Sequence, residues 1–432
     1  MTPRQTAASA LLDVERDGSY SNLVLEPYFQ REALSPRDRA FCAALFYGVL
    51  ERRITLDWTL DHYSRTPVAR LEPEVRAALR LGAYQLMFSP GTPPSAAVDQ
   101  TVELVKALKK GRAAGLVNGV LRAMVRGGFA APAPKDKLTA LSVKYSVPSP
   151  LIQRWRRAYG HDAALEILEG TRGPAPAFIR VNTLRTTLPA LQSRLSREGV
   201  ESLPVEGVEN ALRLVEPGNI AALASFREGL FHVQDISSQL CVAALDPRPG
   251  MAVLDLCAAP GGKTFTAAQR MEDRGLLLAR DLYPRRLALV AEGAARLGLS
   301  VLETAPGDAA APDPALEGRF HRVLCDVPCS GFGTLRRKPE IRYKPLDALD
   351  GLPRVQYNIL ENAARFLRPG GRLVYSTCTL DPRENDQVVE RFLAGHPGFS
   401  AAGPFRTYIH GREGLDCDGF FVAILTCKEA TP

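Results

Sequence analysis

Two cysteines in the second half of the chain stand at positions where they could do chemistry. Cys329 ends a D-V-P-C motif and Cys378 ends an S-T-C motif. Each motif follows an apolar run that predicts a buried strand, residues 321–325 and 372–375. Ligands of open parallel sheets bind beyond the carboxyl ends of the strands, so both thiols are expected at one site. The pattern indicates covalent catalysis by sulfur, and two inert core cysteines are the alternative.

A thiol of ordinary pKa is mostly protonated at neutral pH and needs activation before it can attack. Lys263 and the start of the helix that follows it are the candidate sources of positive potential. Spacing alone does not decide which of the two cysteines is the nucleophile.

A loop rich in small residues joins a predicted strand to a predicted helix over residues 255–264, which read D-L-C-A-A-P-G-G-K-T. Its glycines let the backbone approach a ligand, and the helix start offers unpaired N–H groups. The end of the loop is similar to a phosphate-binding loop. That motif requires a glycine where Cys257 stands, so a nucleoside triphosphatase is a poor fit.

Three acidic residues end further predicted strands, namely Asp281, Asp308 and Asp326. An acid in such a position can accept hydrogen bonds from ribose hydroxyls, although each acid alone could equally cap a helix or end a solvated loop. Several acids without a phosphate clamp suit a positively charged nucleoside that carries no phosphate. S-adenosylmethionine fits that description.

The elements that must position these residues begin near Asp235, where predicted strands start to alternate with predicted helices. This alternation predicts a doubly wound α/β sheet covered by helices on both faces. Residues 1–128 instead carry apolar residues at helical spacing and predict an all-helical region with basic outer faces. A linker-like break covers residues 127–134, and residues 135–235 mix helix and strand in a small α/β module.

Composition narrows the class of protein. The 432 residues are 46% hydrophobic, which allows sizeable cores, and no apolar run is long enough to cross a membrane. The first residues lack the apolar core of a signal peptide, so we expect a cytoplasmic protein without a membrane partner. The eight cysteines show no metal-binding spacing, so no metal is expected. The formal charge of +7 favours an anionic partner such as nucleic acid.

The motifs of the second half together resemble the signature motifs of RNA cytosine-5 methyltransferases. The resemblance rests on residues 255–264, the D-V-P-C-S-G and Y-S-T-C-T-L motifs with Glu384-Asn385, and the shorter matches 180–185, 233–235 and 418–423. Residues 1–128 look like a NusB-type helical domain, a combination similar to the Sun/Fmu (RsmB) branch, which methylates 16S ribosomal RNA. Val327 departs from the alanine that is common in the family.

The resemblance implies three domains. An all-helical NusB-like RNA-binding domain would cover residues 1–130. Linker helices and a small α/β RNA-binding module would cover residues 131–234. A Rossmann-like class I methyltransferase domain with a seven-stranded, mostly parallel sheet would cover residues 235–432. We expect a monomer whose partner is 16S ribosomal RNA.

The resemblance also implies a division of labour in a catalytic group of Cys378, Cys329, Asp326 and Lys263. Cys378 would attack carbon 6 of the target cytosine, and Cys329 would assist release of the covalent adduct. Asp326 would contact the base and favour protonation of a ring nitrogen. The cofactor site would be lined by Cys257, Ala258, Ala259, Pro260, Gly261, Gly262, Lys263, Asp281, Asp308 and Asp326.

A basic segment follows Cys329 over residues 333–344 and is expected to hold phosphates near a flipped-out base. The predicted RNA contacts are Arg336, Arg337, Lys338 and Arg342, together with Arg180 from the middle module. A solvated loop is the alternative interpretation of this segment.

Other functions remain open at this point. The same chemistry could act on transfer RNA or large-subunit ribosomal RNA, although the NusB-like region argues against that substrate. A non-catalytic RNA-binding ribosome assembly factor would have no need for both thiols. An exocyclic-amine methyltransferase usually carries an N-P-P-aromatic tetrapeptide in the position that D-V-P-C occupies here.

Overall fold

The computed structural model describes residues 1–18 and 21–428, which form two compact units. The first unit consists of Met1–Gly173 together with Leu335–Lys344, which we call the inserted segment. The second unit consists of Pro174–Thr334 and the chain from Pro345 onward. The first unit therefore extends beyond residue 130, and one of its parts comes from the sequence between Cys329 and Cys378.

The first unit is helical around one apolar core. Ser35 caps α3 through a hydrogen bond from the Asp38 backbone N–H to the Ser35 Oγ, at 3.2 Å, as its position before Pro36 predicts. Buried residues such as Phe46, Leu79 and Leu121 come from three different helices and belong to sets of apolar residues at helical spacing. Its helices are α1 (Pro3–Asp17), α2 (Ser21–Arg31), α3 (Pro36–Tyr63), α4 (Pro73–Phe88), α5 (Pro94–Ala107), α6 (Ala114–Arg126), α7 (Lys137–Tyr145) and α8 (Ser149–Glu169).

The inserted segment contributes a short 3-10 helix, Pro339–Tyr343, to the first unit. Arg342 is 1% exposed, and its guanidinium donates to five backbone carbonyl oxygens. Three of these bonds are 3.0 Å to Glu51, 3.1 Å to Leu335 and 3.3 Å to Tyr145. Since these carbonyls come from α3, from the end of α7 and from the segment itself, Arg342 fastens the inserted segment to the helices.

The second unit begins with a small four-stranded antiparallel sheet of order β2-β3-β1-β4. Buried Ile179, Leu212 and Phe231 pack against Leu191 and Leu195 of α9 to form its core. The elements are β1 (Ala177–Val181), α9 (Leu188–Arg197), β2 (Glu201–Pro204), β3 (Ala211–Val215), α10 (Ala224–Arg227) and β4 (Phe231–Val233). The mixed α/β module predicted for this part of the chain has this architecture.

The large sheet of the second unit contains eight strands among the described residues, in the order β10-β12-β9-β8-β5-β6-β7, with β11 paired to β12. Its core is the predicted Rossmann-like, mostly parallel sheet. The sheet has one strand more than the predicted seven. β10 and β11 are three-residue strands, too short to show a sequence pattern. The strands are β5 (Ala252–Asp255), β6 (Leu276–Asp281), β7 (Leu302–Pro306), β8 (Phe320–Asp326), β9 (Leu367–Thr377), β10 (Phe399–Ala401), β11 (Arg406–Tyr408) and β12 (Phe420–Cys427).

Helices cover both faces of this sheet, as its alternating side chains require. Val374 of β9 belongs to the core on one face, which includes Phe265 and Val290. Its neighbour Leu373 belongs to the core on the other face, which includes Leu360. The covering helices are α11 (Ile236–Leu245), α12 (Gly262–Arg270) and α13 (Pro284–Leu297) on the first face, and α14 (Leu352–Phe366) and α15 (Asp386–Gly395) on the second.

The strand register sets the positions of the chemical motifs. β8 and β9 are adjacent and parallel, and Asp326 of β8 stands opposite Ser376 of β9. Both strands therefore end at the same level of the same edge. Throughout residues 1–18 and 21–428, none of the helices is long and apolar enough to cross a membrane.

Candidate active site

The two cysteines that follow β8 and β9 meet at the carboxyl edge of the large sheet. The Sγ atoms of Cys329 and Cys378 lie 3.3 Å apart, within hydrogen-bonding distance for sulfur, and both residues are half-buried free thiols. The structure thus brings together the two residues that sequence spacing alone placed at one site. The juxtaposition follows from strand order, because Asp326 and Ser376 pair directly. Cys329 follows Asp326 by three residues, and Cys378 follows Ser376 by two.

Backbone hydrogen bonds hold the Cys329 loop (residues 326–334) against the Cys378 loop (residues 376–380). The Val327 N–H donates to the Ser376 carbonyl at 3.1 Å, and the Gly333 N–H donates to the Cys378 carbonyl at 2.9 Å. Gly333 is necessary for this approach, since a Cβ there would lie 1.8 Å from the Gly419 carbonyl oxygen. The separation of the thiols is therefore built into the backbone.

The environment of Cys329 keeps its proton in place. Its hydrogen bond to Cys378 raises the pKa of Cys329 well above the ordinary value, and burial and the nearby carboxylates of Glu384 and Asp326 raise it further. Either sulfur could be the donor in this hydrogen bond. If Cys329 donates its S–H, Cys378 is the sulfur that can carry negative charge.

Lys263 supplies the positive charge of the site. Its Nζ lies 2.7 Å from the Asp326 Oδ2, and the Asp326 Oδ1 accepts a hydrogen bond of 2.9 Å from the Ser376 hydroxyl. Burial alone would lower the pKa of Lys263, but the negative charge of Asp326, with contributions from Cys241 and Cys378, raises it above the ordinary value. Because this interaction is mutual, the Lys263 ammonium also favours a thiolate at Cys378.

A cavity of about 190 Å³ opens beside these groups. Its walls come from the end of β4, the end of β5 and the start of α12, whose N-terminal residue is Gly262. It is lined by Val233, Gln234, Asp235, Ser238, Asp255, Cys257, Ala258, Ala259, Pro260, Gly262, Lys263 and Asp326. Six of the loop residues predicted from sequence to bind a cofactor line it, and Gly261 lies within the same loop.

Two polar atoms at the cavity lack hydrogen-bond partners among the described residues, the Nε2 of Gln234 and the Oδ1 of Asp255. The other oxygen of Asp255 accepts a bond of 2.7 Å from the Thr264 hydroxyl, and burial raises the pKa of Asp255 to about 7. The Oε1 of Gln234 accepts a bond of 2.6 Å from Thr266, which fixes the amide orientation. A buried donor and a buried acceptor left open at a cavity point to a polar ligand.

The remaining predicted cofactor acids differ in their surroundings. Asp281, at the end of β6, is 3% exposed and accepts from the backbone N–H groups of Ala259 and Tyr283. Arg286 lies 3.3 Å from its carboxylate. Asp308 is exposed after β7 and accepts from the Ala310 N–H at 2.8 Å, which is a turn-capping arrangement. The structure brings Asp281 to the loop of residues 255–264, and neither Asp281 nor Asp308 is among the residues that line the cavity.

Two of the predicted RNA contacts are buried, which contradicts a direct role in holding phosphates. Arg342 directs its guanidinium at the backbone carbonyls of the first unit, as described above. Arg180 is 4% exposed in β1 and donates to the Glu209 carbonyl and the Gln239 side chain. Burial lowers the pKa of Arg180 to about 10. The sequence suggested that both arginines are exposed because they are charged. It does not show which backbone carbonyl groups surround an arginine in the folded protein.

The three other basic residues of the inserted segment, Arg336, Arg337 and Lys338, are half-buried and belong to the first unit. Cys329 belongs to the second unit. These three residues are therefore close to Cys329 in sequence but belong to a different compact unit. An RNA-binding role for them stays a prediction.

Several residues of the site received no role from sequence reasoning. Gln234 and Glu384 appeared only as parts of matching motifs, and Ser376 only as the residue two positions before Cys378. Gln356 of α14 is buried and donates to the Pro328 carbonyl at 2.9 Å. No local signal marks Gln356, because its function depends on which loop packs over the helix.

Comparisons with known proteins place three family matches along the chain. Residues 242–409 match the family model for the 16S rRNA methyltransferase RsmB/F. Residues 1–126 match the NusB family, and residues 147–221 match the ferredoxin-like domain of Methyltr_RsmF/B-like proteins. The three matches follow one another along the chain.

Among curated relatives, the "Probable ribosomal RNA small subunit methyltransferase B" of Bacillus subtilis (strain 168) is 37% identical over 92% of this chain and 89% of its own length. The ribosomal RNA small subunit methyltransferase B of Pectobacterium carotovorum (strain PC1) is 35% identical over 98% of both chains. The crystal structure of PH0851 superposes with a TM-score of 0.84 at 26% identity, covering 98% of this chain and 99% of that one.

A methyltransferase homologue from Pyrococcus horikoshii is also similar in structure, with a TM-score of 0.58 and 26% identity over 68% of this chain and all of that one. The helical, ferredoxin-like and Rossmann-like parts of the fold each have a counterpart in these matches. Relatives above 30% identity extend over nearly the whole chain, and the chain therefore belongs to the RsmB/F family of methyltransferases.

Proposed function

We propose that this protein transfers a methyl group from S-adenosylmethionine to carbon 5 of a cytosine in 16S ribosomal RNA, through a covalent adduct with Cys378. The observation that carries the proposal is the pair of thiols 3.3 Å apart beside Lys263 and Asp326. The names of the curated relatives support ribosomal RNA of the small subunit as the substrate. The ferredoxin-like and NusB-like parts are consistent with an RNA substrate.

Cys378 is assigned as the nucleophile because it faces both a proton donor and a cation. Its sulfur would bond to carbon 6 of cytosine while the electrons of the carbon 5–carbon 6 double bond shift into the ring, which makes carbon 5 nucleophilic. Asp326 would lie against the base and favour protonation of the ring nitrogen. The Lys263–Asp326 pair leaves one carboxylate oxygen bonded to Ser376, so Asp326 is oriented before the base arrives.

The cavity residues fit S-adenosylmethionine, which when bound supplies an electrophilic methyl group. The open Gln234 Nε2 matches a carboxylate of the ligand, and the open Asp255 Oδ1 matches an ammonium group. Asp281 would accept from ribose hydroxyls, as acids at this strand end do in dinucleotide folds. We therefore propose that residues 257–263, Asp281 and Asp326 bind the cofactor, as expected from the sequence.

Cys329 is assigned to the last step. After methylation, carbon 5 still carries the hydrogen that it had in the substrate. Removal of this proton by the Cys329 sulfur, whose own proton has first passed to solvent water, would return the electron pair to the ring. The bond between carbon 6 and the Cys378 sulfur would then break and free the enzyme.

The proposed function is tested by incubating the protein with S-adenosylmethionine labelled in its methyl group and with 16S ribosomal RNA. The RNA is then digested and the labelled nucleoside identified. Label in 5-methylcytosine at one position is the expected result. Label in transfer RNA or large-subunit RNA alone would retain the chemistry and reject the substrate. Absence of label from every RNA would reject the enzyme assignment in favour of a non-catalytic assembly factor.

The same assay separates the roles of the thiols. Cys378→Ala should abolish methylation without loss of S-adenosylmethionine binding, whereas Cys329→Ala should accumulate a protein–RNA adduct that is visible on a denaturing gel. Turnover by Cys378→Ala would refute its assignment as nucleophile.

A further inference from the structure

Two consecutive buried residues, Glu384 and Asn385, hold the two cysteine loops separately. Both follow the Cys378 loop, at the start of α15, and are at most 1% exposed. They line no part of the cavity described above. Asn385 bonds to the residues on both sides of Cys378, and Glu384 reaches the residues on both sides of Cys329 directly and through Gln356.

Glu384 holds the Cys329 loop. Its Oε2 accepts a bond of 2.9 Å from the Ser330 backbone N–H and another of 2.9 Å from the Gln356 Nε2. The same Gln356 nitrogen donates to the Pro328 carbonyl at 2.9 Å. The residues directly before and after Cys329 are therefore fixed by one carboxylate and the amide that it orients.

Asn385 holds the Cys378 loop. Its Oδ1 accepts a bond of 2.6 Å from the Thr377 hydroxyl, and its Nδ2 donates to the Thr379 carbonyl at 3.0 Å. The residues directly before and after Cys378 are therefore fixed by one amide. The two loops are also joined to each other by a 2.6 Å hydrogen bond between the hydroxyls of Ser330 and Thr379.

We propose that Glu384 and Asn385 are positioning residues with separate tasks, Glu384 setting Cys329 for adduct release and Asn385 setting Cys378 for attack on the base. The inference rests on the proposed function, since it assigns one supporting residue to each of its two covalent steps. A displacement of about 1 Å at a reacting atom is enough to slow a step on the order of 100-fold. Loss of either residue should therefore slow mainly the step of the cysteine that it holds.

The burial of Glu384 fits a positioning task. Burial raises the pKa of Glu384 above its ordinary value, and the bonds from Ser330 and Gln356 oppose that rise. Within the part of the chain that the structure describes, its Oε1 has no hydrogen-bond partner, so one oxygen alone holds the loop. A glutamine at this position would keep that accepting oxygen and lose only the charge.

The experiment compares ordinary 16S ribosomal RNA with 16S ribosomal RNA transcribed with 5-fluorocytidine, both in the presence of S-adenosylmethionine. The fluorinated RNA reports attack, because carbon 5 then carries fluorine, which cannot leave as a proton does, and the adduct is trapped. The ordinary RNA reports complete turnover and any accumulated adduct. The variants are Glu384→Ala, Glu384→Gln, Asn385→Ala and Asn385→Asp in the full chain.

Glu384→Ala should form the trapped adduct within about threefold of the wild-type rate, yet turn over ordinary RNA at least about tenfold more slowly and accumulate adduct. Asn385→Ala should form the trapped adduct at least about tenfold more slowly and accumulate none on ordinary RNA. Glu384→Gln should recover most of the turnover, since it keeps the accepting oxygen, and Asn385→Asp should recover part of the attack rate.

Asp273→Ala is the matched control, because its carboxylate also accepts backbone N–H groups, from Ser300 and Val301, but holds neither cysteine loop. It should change neither rate. Thermal unfolding of each variant identifies any that fail to fold, and the conservative substitutions then carry the test.

Equal slowing of attack by the Glu384 and Asn385 variants would overturn the separate tasks. Equally poor turnover by Glu384→Gln and Glu384→Ala would show that the charge of Glu384 matters rather than its position, and would overturn the positioning role. If the wild-type protein itself formed no adduct with the fluorinated RNA, the proposed function would fail, and that result is distinct from both.

Discussion

Arg342 in the first unit is a buried cation and Lys263 in the second a half-buried one, and their partners differ. Arg342 is surrounded by neutral backbone carbonyls, and burial lowers its pKa, with partial compensation from Tyr343 and Glu51. Lys263 lies against the Asp326 carboxylate near a thiol, and its pKa is raised. Burial of a charge therefore does not distinguish a structural cation from a functional one, whereas the charge of its partners does.

The chemical difference follows from the partners. Five carbonyls fix the orientation of a planar guanidinium, and nothing in that arrangement changes charge during a reaction. An ammonium between a carboxylate and a thiol responds to the protonation of both neighbours. We expect substitutions of Arg342 to affect folding and substitutions of Lys263 to affect chemistry.

The largest effect is expected for Arg342→Met, which leaves several carbonyl oxygens buried without donors. We expect a loss of about 3–5 kcal/mol in the free energy of unfolding, measured by urea denaturation. Arg342→Lys should lose most of the same stability, because one ammonium cannot reach carbonyls in so many directions. Arg65→Met, which removes an exposed arginine of the same unit, is the control and should change stability by less than about 0.5 kcal/mol. An Arg342→Met protein as stable as the wild type would show that Arg342 does not have the structural role that sets it apart from Lys263.

Lys263→Met should act on the reaction instead. We expect the methylation rate to fall about 100-fold to 1000-fold, or about 3–4 kcal/mol, because the thiolate loses its nearby positive charge. The free energy of unfolding should change by about 1 kcal/mol, since the Asp326 side chain keeps Ser376 and some access to water. Lys263→Arg should restore part of the rate. A loss of stability as large as that of Arg342→Met would make the two cations equivalent.

A smaller effect is expected for substitution of Asp255, a buried carboxyl group that is not paired directly with Lys263. Its folded pKa of about 7 lies above the ordinary value of 3.8, so the folded state binds its proton more tightly. The corresponding stability is fully present below about pH 4 and is lost as the pH rises to about 7. Asp255→Asn should therefore gain about 1–3 kcal/mol relative to the wild type between about pH 4 and pH 8. Parallel stability curves for the two proteins would show that Asp255 is not perturbed.

The smallest effect is expected from neutralising Arg336, Arg337 and Lys338 to glutamine together. These half-buried residues belong to the inserted segment together with Arg342. RNA affinity should weaken about threefold to tenfold, and the slope of log affinity against log salt should fall by about 1 for each phosphate that the three side chains neutralise. Filter-binding measurements across a salt series would check this, and an unchanged slope would exclude the three residues from the RNA surface.

The residues around Cys329 show how far sequence could predict the site. Strand-end motifs placed Cys329, Cys378, Asp326 and Lys263 together because parallel strand order fixes the positions of consecutive strand ends. The D-L-C-A-A-P-G-G-K-T loop was likewise assigned to a cavity that most of its residues line. Local patterns suffice here, since each residue is positioned by its own strand or helix.

The inserted segment shows where sequence reasoning fails. Its five basic residues predicted a solvent-facing surface, but Arg342 is buried. The carbonyl groups that accept hydrogen bonds from its guanidinium come from residues far away in the sequence. Gln356 and the short strands β10 and β11 were missed for the same reason. Their environment is created by tertiary packing, which leaves no periodic pattern in the residues themselves.

The discontinuity of the first unit has a consequence for the order in which the chain can fold during synthesis. Residues 1–173 leave the ribosome first, yet the arginine that joins their carbonyls is at position 342. The helical unit cannot reach its final form until four of the eight strands of the large sheet, β5 to β8, have also been translated. A gene truncated after residue 173 would encode helices that lack their last packing element. One starting at residue 174 would carry an arginine without four of its five carbonyl acceptors. The first unit is therefore expected to reach its final packing only when both halves are translated as one polypeptide.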